Sequence, residues 1–370
     1  MKSTLLTRIG ILAVAQQRNG GTLPYTLSMI ETLRRLPVDA YGLTIYTTVG
    51  NRNYDRLGLP VVELASTPNR AIDGLLQRDP FEAVDKVIAP VYATLLLATR
   101  RPFAFTLHDL QEKHFPEHFS LITRGWRHAT NWLLTARAKQ IICESSYVKT
   151  DIVRYFDVPA DRIAVIPAPP VLSLSHAKLD AASGSALRAK FNLPDVYSLY
   201  PAQFWPHKNH LRLIEAFAKV ANCFPKCGLV LTGQERLEYA KVMQRAHKLN
   251  IAERIFHVGH VDQTELAALY HGATIVAVPT LFESISLPIY EAFSLGIAVC
   301  ASNVVALPEQ VGAAGLLFNP LSPDDIAESM IRLLRSPDLR RQLIERGKDR
   351  IATLTADAYG QSLSRILDKL

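Results

Sequence analysis

The sequence predicts an α/β protein made of two Rossmann-like domains, each built on a parallel sheet. The chain has 370 residues, which is too long for one ordinary core and suits two such units. Short apolar runs alternate with longer segments of helical period, the pattern of parallel α/β sheets. Clustered prolines and serines after Ile166 exclude a helix there and separate two series of these elements.

The first series predicts strands at Ile9–Val14, Leu43–Thr47, Phe103–Leu107 and Gln140–Cys143. The segments of helical period between them are Thr22–Leu36, Phe81–Thr99 and Ser120–Ala138. The second series predicts strands at Tyr197–Tyr200, Gly228–Leu231, Ile255–Val258, Thr274–Val278 and Ala298–Ala301. Length and β-branched content decide between strand and helix in such runs.

These elements predict a domain division and a place for a ligand. We expect a first domain over residues 1–168, a linker over 169–190, a second domain over 191–352 and a helical segment over 353–370. The last segment can pack back on the first domain. Ligands of doubly wound sheets bind at the carboxyl ends of the strands. With two such domains, the cleft between them is the expected site.

Composition narrows the class of partner. The net charge is +7, with 48% apolar and 20% charged residues, which describes a folded protein. The basic excess is spread along the chain, so it suits a nucleotide diphosphate or an anionic membrane surface and does not indicate nucleic acid. No apolar run reaches the roughly 20 residues that a membrane span needs. We expect a cytoplasmic protein, with peripheral attachment to the inner face of the cell membrane left open.

The most informative segment runs from Phe282 to Gly296. It follows a buried strand, Pro288 suits the first turn of a helix, and Gly296 can close that helix. Free amides near Ser286 and Leu287 then point out of the helix start, where phosphate oxygens bind. Carboxylates before and within the helix can hold ribose or sugar hydroxyls. The alternative is that both merely favour the positive end of the helix dipole.

The segment resembles the Glu-x7-Glu signature of glycosyltransferase family 4, the retaining enzymes of the GT-B fold. The likeness extends upstream to Pro206-His-Lys-Asn209 and downstream through Leu307-Pro-Glu309 and Gly315–Pro320. It covers essentially the whole second domain, whereas the first domain matches more loosely. The resemblance implies that the first domain lies on the acceptor side and that the second binds a nucleotide sugar.

The resemblance also implies roles for single residues. It assigns Glu291 to the nucleotide ribose and Glu283 to the transferred sugar, with Ser284, Ser286 and Leu287 in the donor-binding segment.

Lys208 is the cation that we assign to the diphosphate, where leaving-group charge grows during transfer. Two departures from the family pattern concern this region. Ser286 stands where glycine is usual, and Gln203 stands where an arginine is usual, so one diphosphate contact loses its charge. Arg212, another basic residue or the helix amides can compensate, or donor binding is weaker.

The first domain offers a second group of candidates. Gly20 and Gly21 follow the first strand and precede a helix, where backbone can approach a phosphate or sugar. A plain tight turn is the alternative, and the resemblance to the acceptor-side glycine loop favours the first reading. His108 and Asp109 end a predicted strand. A histidine there can hold donor-sugar hydroxyls or position an acceptor, and a structural histidine is the alternative.

The sequence has no Asp-x-Asp dyad, so we expect neither a metal nor any other cofactor. Lys208 and helix amides then supply the electrostatic stabilisation. The stretches His108–Glu117 and Phe204–Asn209 look most like bacterial mannosyltransferases of surface-polysaccharide assembly, including lipopolysaccharide. They favour GDP-mannose as donor and a saccharide or lipid-linked saccharide as acceptor. Two alternatives stay open: a nucleotide-sugar epimerase of the same fold, and a catalytically silent scaffold.

The predicted helix around Trp126 and Trp132 is basic and aromatic. Such a face can lie on an anionic membrane, where lipid-linked acceptors reside. An ordinary amphipathic helix packed on the sheet is the alternative.

Overall fold

A computed structural model describes residues 6–16, 21–64, 79–167 and 188–370. The chain forms two compact units. The first comprises Met1–Pro169 together with Leu354–Leu370, and the second comprises Pro170–Thr353. Most of the predicted linker, residues 169–187, lies outside the described residues. Each unit has its own parallel sheet, as the apolar runs predict.

The first unit is built on a seven-stranded parallel sheet with the order β3-β2-β1-β4-β5-β6-β7. The strands are β1 Thr7–Leu12, β2 Tyr41–Thr48, β3 Val61–Leu64, β4 Lys86–Ala89, β5 Phe103–Thr106, β6 Gln140–Cys143 and β7 Ile163–Val165. The four strands predicted here are confirmed with shifted ends. The short strands β3 and β7, at the two edges, were not predicted.

The prediction of a helix over Phe81–Thr99 is wrong. The structure has strand β4 at Lys86–Ala89 and a 3₁₀ turn at Thr94–Leu97 in this segment. β4 lies between β1 and β5, where its Val-Ile-Ala residues are fully buried. The sequence of a short apolar run that is buried on both faces does not show whether it forms a strand or a helix. Here the pairing with β1 and β5 makes it a strand. Pro90, which lacks an N–H, follows the last strand residue.

Helices cover this first sheet. They are α1 Thr22–Leu33, the one-turn α2 Gln111–His114, α3 Leu121–Arg137 and α4 Ser146–Phe156. Serine side chains start two of them: Ser120 Oγ accepts from the Thr123 amide and Ser145 Oγ from the Val148 amide. Such caps satisfy amides that a helix start leaves without a partner. Strand ends and helix starts therefore alternate along the carboxyl edge of the sheet.

The second unit is built on a six-stranded parallel sheet with the order β10-β9-β8-β11-β12-β13. The strands are β8 Val196–Pro201, β9 Cys227–Thr232, β10 Ile255–His257, β11 Ile275–Val278, β12 Ala298–Ser302 and β13 Gly315–Phe318. The five strands predicted here are confirmed, and β13 was not predicted. The order reverses direction between β8 and β11, so this pair marks the topological switch point of the sheet.

The helices of the second unit follow its strands. They are α5 His210–Cys223, α6 Tyr239–Lys248, α7 Gln263–Gly272, α8 Leu287–Ser294, α9 Leu307–Val311, α10 Pro323–Arg335 and α11 Pro337–Ala352. Helix α8 has Pro288 in its first turn, and Gly296 after it has a φ of 71°. Both features match the prediction for this helix.

The last helix, α12 Ala356–Lys369, packs in the first unit. It contacts α1, and the Lys86 ammonium donates to the Leu367 carbonyl oxygen at 2.6 Å. Tyr359, Leu363 and Leu367 of this helix are buried. The chain therefore ends in the same unit in which it begins.

Candidate active site

The carboxyl edge at the switch point of the second sheet carries two predicted residues. Lys208 lies in a 3₁₀ turn after β8, and Glu283 lies in the loop after β11. Because β8 and β11 are parallel neighbours, the loops that follow them meet at one edge. This is the position at which open α/β sheets bind ligands.

The two side chains form an ion pair. The Lys208 ammonium contacts Glu283 Oε1, and the side chains are 19% and 13% exposed. The other carboxylate oxygen, Oε2, is buried and has no hydrogen-bond partner within the described ranges. A buried carboxylate oxygen without a donor costs free energy. The pair is therefore assembled but incompletely satisfied, and a donor group on a ligand can complete it.

Hydrogen bonds to main-chain carbonyl oxygens hold these two loops together. The Leu281 amide donates to the His207 carbonyl oxygen at 2.7 Å, and the Thr280 hydroxyl donates to the same oxygen at 3.1 Å. The side-chain Nδ2 of the buried Asn209 donates to the Pro279 carbonyl oxygen at 2.9 Å. The Lys208–Glu283 pair thus lies on a backbone frame that is already bonded across the switch point.

The start of helix α8 corrects one prediction. The Ser286 amide is not free, because it donates to Gln310 Oε1 at 2.8 Å, while Gln310 Nε2 donates to the Ser286 carbonyl oxygen at 2.7 Å. A glutamine side chain has both a donor and an acceptor, so it can bind the amide and the carbonyl group of Ser286 together. The Ser286 amide is therefore occupied by Gln310 and is not available to a ligand. The Leu287 amide has no acceptor in the part of the chain that the structure describes. Ser284 is buried in the same loop.

Glu291 lies on α8 and faces a tyrosine. The Tyr270 hydroxyl donates to Glu291 Oε2 at 2.6 Å. Burial raises the pKa of Glu291 to about 7, and the Tyr270 hydrogen bond opposes this rise. The carboxyl group therefore changes its charge near neutral pH. Perturbed carboxyl groups of this kind are common at binding sites, although structural pairs also produce them.

Gln203 lies after β8 and binds two side chains through one oxygen. Its Oε1 accepts from Trp205 Nε1 at 3.1 Å and from Arg236 Nε at 3.4 Å. Arg212, one of the alternatives named from the sequence for replacing the lost charge, donates to Asn209 Oδ1 at 3.0 Å. Arg236 is thus the basic residue in contact with Gln203, and sequence reasoning did not single it out.

The first unit places His108 beside the carboxyl ends of three neighbouring strands. His108 follows β5, while its two ring partners follow β4 and β6. Nδ1 lies 2.7 Å from Glu144 Oε2, and Nε2 lies 3.1 Å from the Pro90 carbonyl oxygen. Tyr25 packs edge-on against the ring at 4.7 Å between centroids. Both ring nitrogens are therefore engaged within this unit, which leaves neither free for a sugar hydroxyl in this arrangement.

The remaining residues predicted in the first unit lie at the same edge or outside the description. The Asp109 carboxylate accepts from the Gln111 amide at 3.1 Å and lies 3.5 Å from the Arg127 guanidinium. Gly21 precedes α1 with a φ of −63°, which needs no glycine. Gly20 lies outside the described residues.

Helix α3 leaves large apolar side chains in solvent. Leu121 and Ile122 are 79% and 86% exposed, and Trp126 and Trp132 are 41% and 53% exposed. This outcome differs from a helix that buries its whole apolar face on the sheet. Among the described residues, no helix combines the length and apolarity required to cross a bilayer.

Some residues of these sites were missing from the sequence analysis. They are Glu144, Tyr270, Arg236 and Gln310. Glu144 had a usable signal, because a carboxylate follows directly on the buried strand β6. Tyr270 and Gln310 contact the Phe282–Gly296 segment from other helices, so no spacing within that segment predicts them.

Two family models match the chain. Glycosyltransferase Family 4 matches residues 54–169, and Glycosyl transferases group 1 matches residues 186–350. The first lies within the unit that holds His108, and the second spans every residue assigned above to the switch-point site.

Curated relatives match at modest identity. O-antigen chain mannosyltransferase B of Escherichia coli is 30% identical over 212 residues, covering 57% of this chain and 55% of that protein. MMP alpha-(1->4)-mannosyltransferase of Mycolicibacterium hassiacum is 32% identical over 131 residues, covering 32% of each chain. The chain therefore spans about half the length, or less, of these relatives.

Solved structures share the fold over nearly the whole chain. Anabaena Alr3699/HepE in complex with UDP and glucose matches with a TM-score of 0.79 at 20% identity, covering 98% of this chain and 100% of that one. WaaG, a glycosyltransferase involved in lipopolysaccharide biosynthesis, matches with a TM-score of 0.71 at 14% identity, covering 97% and 99%. At such identities the likeness concerns the fold.

Proposed function

Because the chain belongs to the glycosyltransferases of the GT-B fold, we propose that it transfers a hexose from a nucleotide donor to a saccharide or lipid-linked saccharide. The observation that carries the proposal is the Lys208–Glu283 pair at the switch point of the second sheet. A cation there opposes diphosphate charge, and a carboxylate beside it accepts hydrogen bonds from sugar hydroxyls. The Leu287 amide, which has no acceptor among the described residues, adds a donor for a phosphate oxygen.

Glu291 is the residue that we assign to the ribose. Its carboxylate is partly buried on α8, in the same helix whose start carries Leu287. The Tyr270 hydroxyl bonds one of its oxygens and so fixes its orientation, while the other oxygen can accept from a hydroxyl of a ligand. Sugar, phosphate and ribose then follow one another along a single loop and helix.

The proposed reaction exchanges one bond at the anomeric carbon. The bond from that carbon to the diphosphate oxygen breaks, and a bond to the acceptor hydroxyl oxygen forms on the same face. The acceptor proton passes to the departing diphosphate. Lys208 and the Leu287 amide oppose the charge that grows on the leaving group. The sequence has no Asp-x-Asp dyad, so the proposal includes no metal.

GDP-mannose is the donor that we propose. The names of the Escherichia coli and Mycolicibacterium hassiacum relatives support mannose, while the HepE complexes contain UDP and leave the base to be tested. A cytoplasmic location at the inner face of the membrane fits a lipid-linked acceptor. Its support is the exposed apolar residues of α3 together with the half-buried cation Arg124 of the same helix.

A panel of nucleotide sugars tests the donor. The panel contains GDP-mannose, UDP-glucose, UDP-N-acetylglucosamine and ADP-glucose, and the readout is the shift of the unfolding midpoint. A ligand at a hundred times its Kd stabilises the folded protein by about 2.7 kcal/mol, which gives a clear shift. We expect GDP-mannose to give the largest one. A larger shift with a uridine or adenine nucleotide would replace the proposed base.

Products separate the alternatives. Transfer yields a glycosylated acceptor, and proton NMR of its anomeric signal reports whether configuration is retained. Consumption of donor without acceptor, with an epimeric sugar formed, would support the epimerase instead. Binding of no nucleotide at all would support the silent scaffold.

A further inference from the structure

Arg236 lies beside the candidate donor site in a position that the proposed function does not yet use. It belongs to the loop between β9 and α6 and is half-buried. Its Nε donates to Gln203 Oε1 at 3.4 Å, and one terminal nitrogen donates to Gln234 Oε1. Its guanidinium lies over the Trp205 ring, 5.4 Å from the centroid. Three neutral groups therefore hold the plane of this cation.

The backbone brings this loop against the loop that follows β8. β8 and β9 are paired in parallel up to Pro201 and Thr232, so both chains leave the sheet at the carboxyl edge. Gly233 comes next with a φ of 108°, and a Cβ atom there would lie 2.7 Å from the Ala202 carbonyl oxygen. Only glycine fits that approach. Gln203 and Arg236 are thus placed together by main-chain packing.

The charge of Arg236 is uncompensated, in contrast to that of Lys208. Lys208 already contacts the Glu283 carboxylate, so this pair adds little net positive charge for a ligand. Arg236 makes no ion pair with any carboxylate in the described ranges, and both acceptors of its hydrogen bonds are glutamine oxygens. A diphosphate carries at least two negative charges, which one neutralised lysine does not balance.

We propose that Arg236 is a second cation of the donor site and binds the diphosphate of the nucleotide. The inference rests on the proposed function and names a residue for it. A guanidinium has five N–H groups, of which two are used by glutamine oxygens, so three remain for phosphate. Gln203 acts as a positioning residue, because its oxygen binds both Arg236 and Trp205. The charge absent at position 203 is thereby supplied from the neighbouring loop.

Arg212 provides a matched control. It lies in the first turn of α5, and its guanidinium donates to Asn209 Oδ1 at 3.0 Å, also without an ion pair among the described residues. Arg212→Ala removes from the start of α5 the same charge that Arg236→Ala removes from the loop after β9. A nonspecific effect of net charge would appear in both variants.

The test measures by calorimetry the Kd of a nucleoside diphosphate and that of the matching monophosphate. The two pairs are GDP with GMP and UDP with UMP. The full chain is used, and folding of each variant is checked by circular dichroism. We expect Arg236→Ala to weaken diphosphate binding about tenfold to a hundredfold, the effect of a charged hydrogen bond. Monophosphate binding should weaken less, and Arg212→Ala should change either Kd by less than about threefold.

Two further variants sharpen the result. Arg236→Lys keeps the positive charge but lacks the planar guanidinium with its several N–H donors, so it should give an intermediate Kd. Gln203→Arg in the Arg236→Ala background should restore diphosphate affinity, because it returns a cation to the same place. Unchanged diphosphate affinity in Arg236→Ala, or an equal loss in Arg212→Ala, would overturn the inference while leaving the proposed function intact. Absence of diphosphate binding by the unmodified chain would overturn both.

Discussion

The Tyr270 hydroxyl lies 2.6 Å from Glu291 Oε2 and joins helix α7 to helix α8. Tyr270 is fully buried, so its hydroxyl is held in place. Burial raises the pKa of Glu291 to about 7, against the effect of this hydrogen bond. The free protein therefore contains both the protonated and the ionised carboxyl near neutral pH, and a ligand that prefers the carboxylate will select the ionised form.

The first prediction concerns the pH dependence of nucleotide binding. Only the ionised carboxylate accepts hydrogen bonds from both ribose hydroxyls, so the affinity for the diphosphate should rise as pH increases from about 6 to about 8. Calorimetry across this range measures it. Glu291→Gln should bind more weakly and lose this rise, apart from the part caused by phosphate ionisation. A variant that keeps the full pH dependence would show that another group titrates.

The second prediction concerns His108 and Glu144. A carboxylate and a carbonyl oxygen both accept hydrogen bonds, so the ring favours the form with both nitrogens protonated. Burial alone lowers the pKa of His108, but the Glu144 charge and hydrogen bond, the nearby Asp109 and the Pro90 carbonyl together raise it. Glu144→Gln should lower this pKa, as measured by NMR titration of the ring C–H.

The pH dependence of the stability of the first unit should depend on the same His108–Glu144 pair. A histidine whose pKa is raised in the folded state adds stability below its unfolded value of about 6.5, and loses it as pH rises through the folded value. Glu144→Gln should therefore be more destabilising at pH near 5.5 than at pH near 9. Asp151→Asn, next to His114 at 2.6 Å, is the control and should leave the His108 titration in place. An unshifted His108 signal in Glu144→Gln would refute the pairing.

The third prediction concerns the Gln310 contact with Ser286. Gln310→Leu removes the acceptor of a buried amide, while the Ser286 carbonyl oxygen keeps the Ile289 amide as a donor. The free energy of unfolding should fall by about 1–3 kcal/mol, the cost of an unsatisfied buried group. Chemical denaturation measures it. Gln310→Glu keeps an oxygen toward the amide, but it buries a charge and turns its second oxygen toward the Ser286 carbonyl oxygen, so it should lose at least as much stability at neutral pH. Equal stability of all three proteins would contradict this contact.

The fourth prediction separates the two members of the switch-point ion pair. Glu283 neutralises Lys208, so Glu283→Gln should tighten the binding of a free diphosphate by a few fold, or leave it unchanged, while transfer falls by about a hundredfold or more. Lys208→Met should weaken diphosphate binding instead. Titrations and initial rates of both variants provide the comparison. Equal weakening of diphosphate binding in both would contradict the assignment of separate sugar and phosphate roles.

The strands show how far local sequence predicts the fold. Interior strands such as β6 and β11 are short buried runs, apolar apart from Gln140 in β6, and were identified directly. β4 was read as part of a helix because its apolar run continues toward Leu97, and only its pairing with β1 and β5 shows that it is a strand. The edge strand β3 has only four residues, and two of them in succession are exposed, so neither alternation nor a continuous buried run marks it.

The candidate site shows the same limit. Lys208 and Glu283 were predicted from their own segments, and the structure brings them into contact from two loops. The state of the Ser286 amide was predicted incorrectly, because Gln310 reaches it from another helix. The sequence did not show which basic residue lies next to Gln203. The close packing at Gly233 brings Arg236 to that position. Local motifs predict which residues serve a site, whereas their partners depend on tertiary contacts.

Calorimetric titration of GDP, UDP and ADP into the unmodified chain and into Glu291→Ala tests the central claim, a nucleotide donor site on the second unit. We expect at least one diphosphate to bind the unmodified chain, with GDP the tightest. Glu291→Ala should bind that diphosphate at least about tenfold more weakly, because the ribose loses its acceptor. Binding of none of the three diphosphates, or an unchanged Kd in Glu291→Ala, would contradict it.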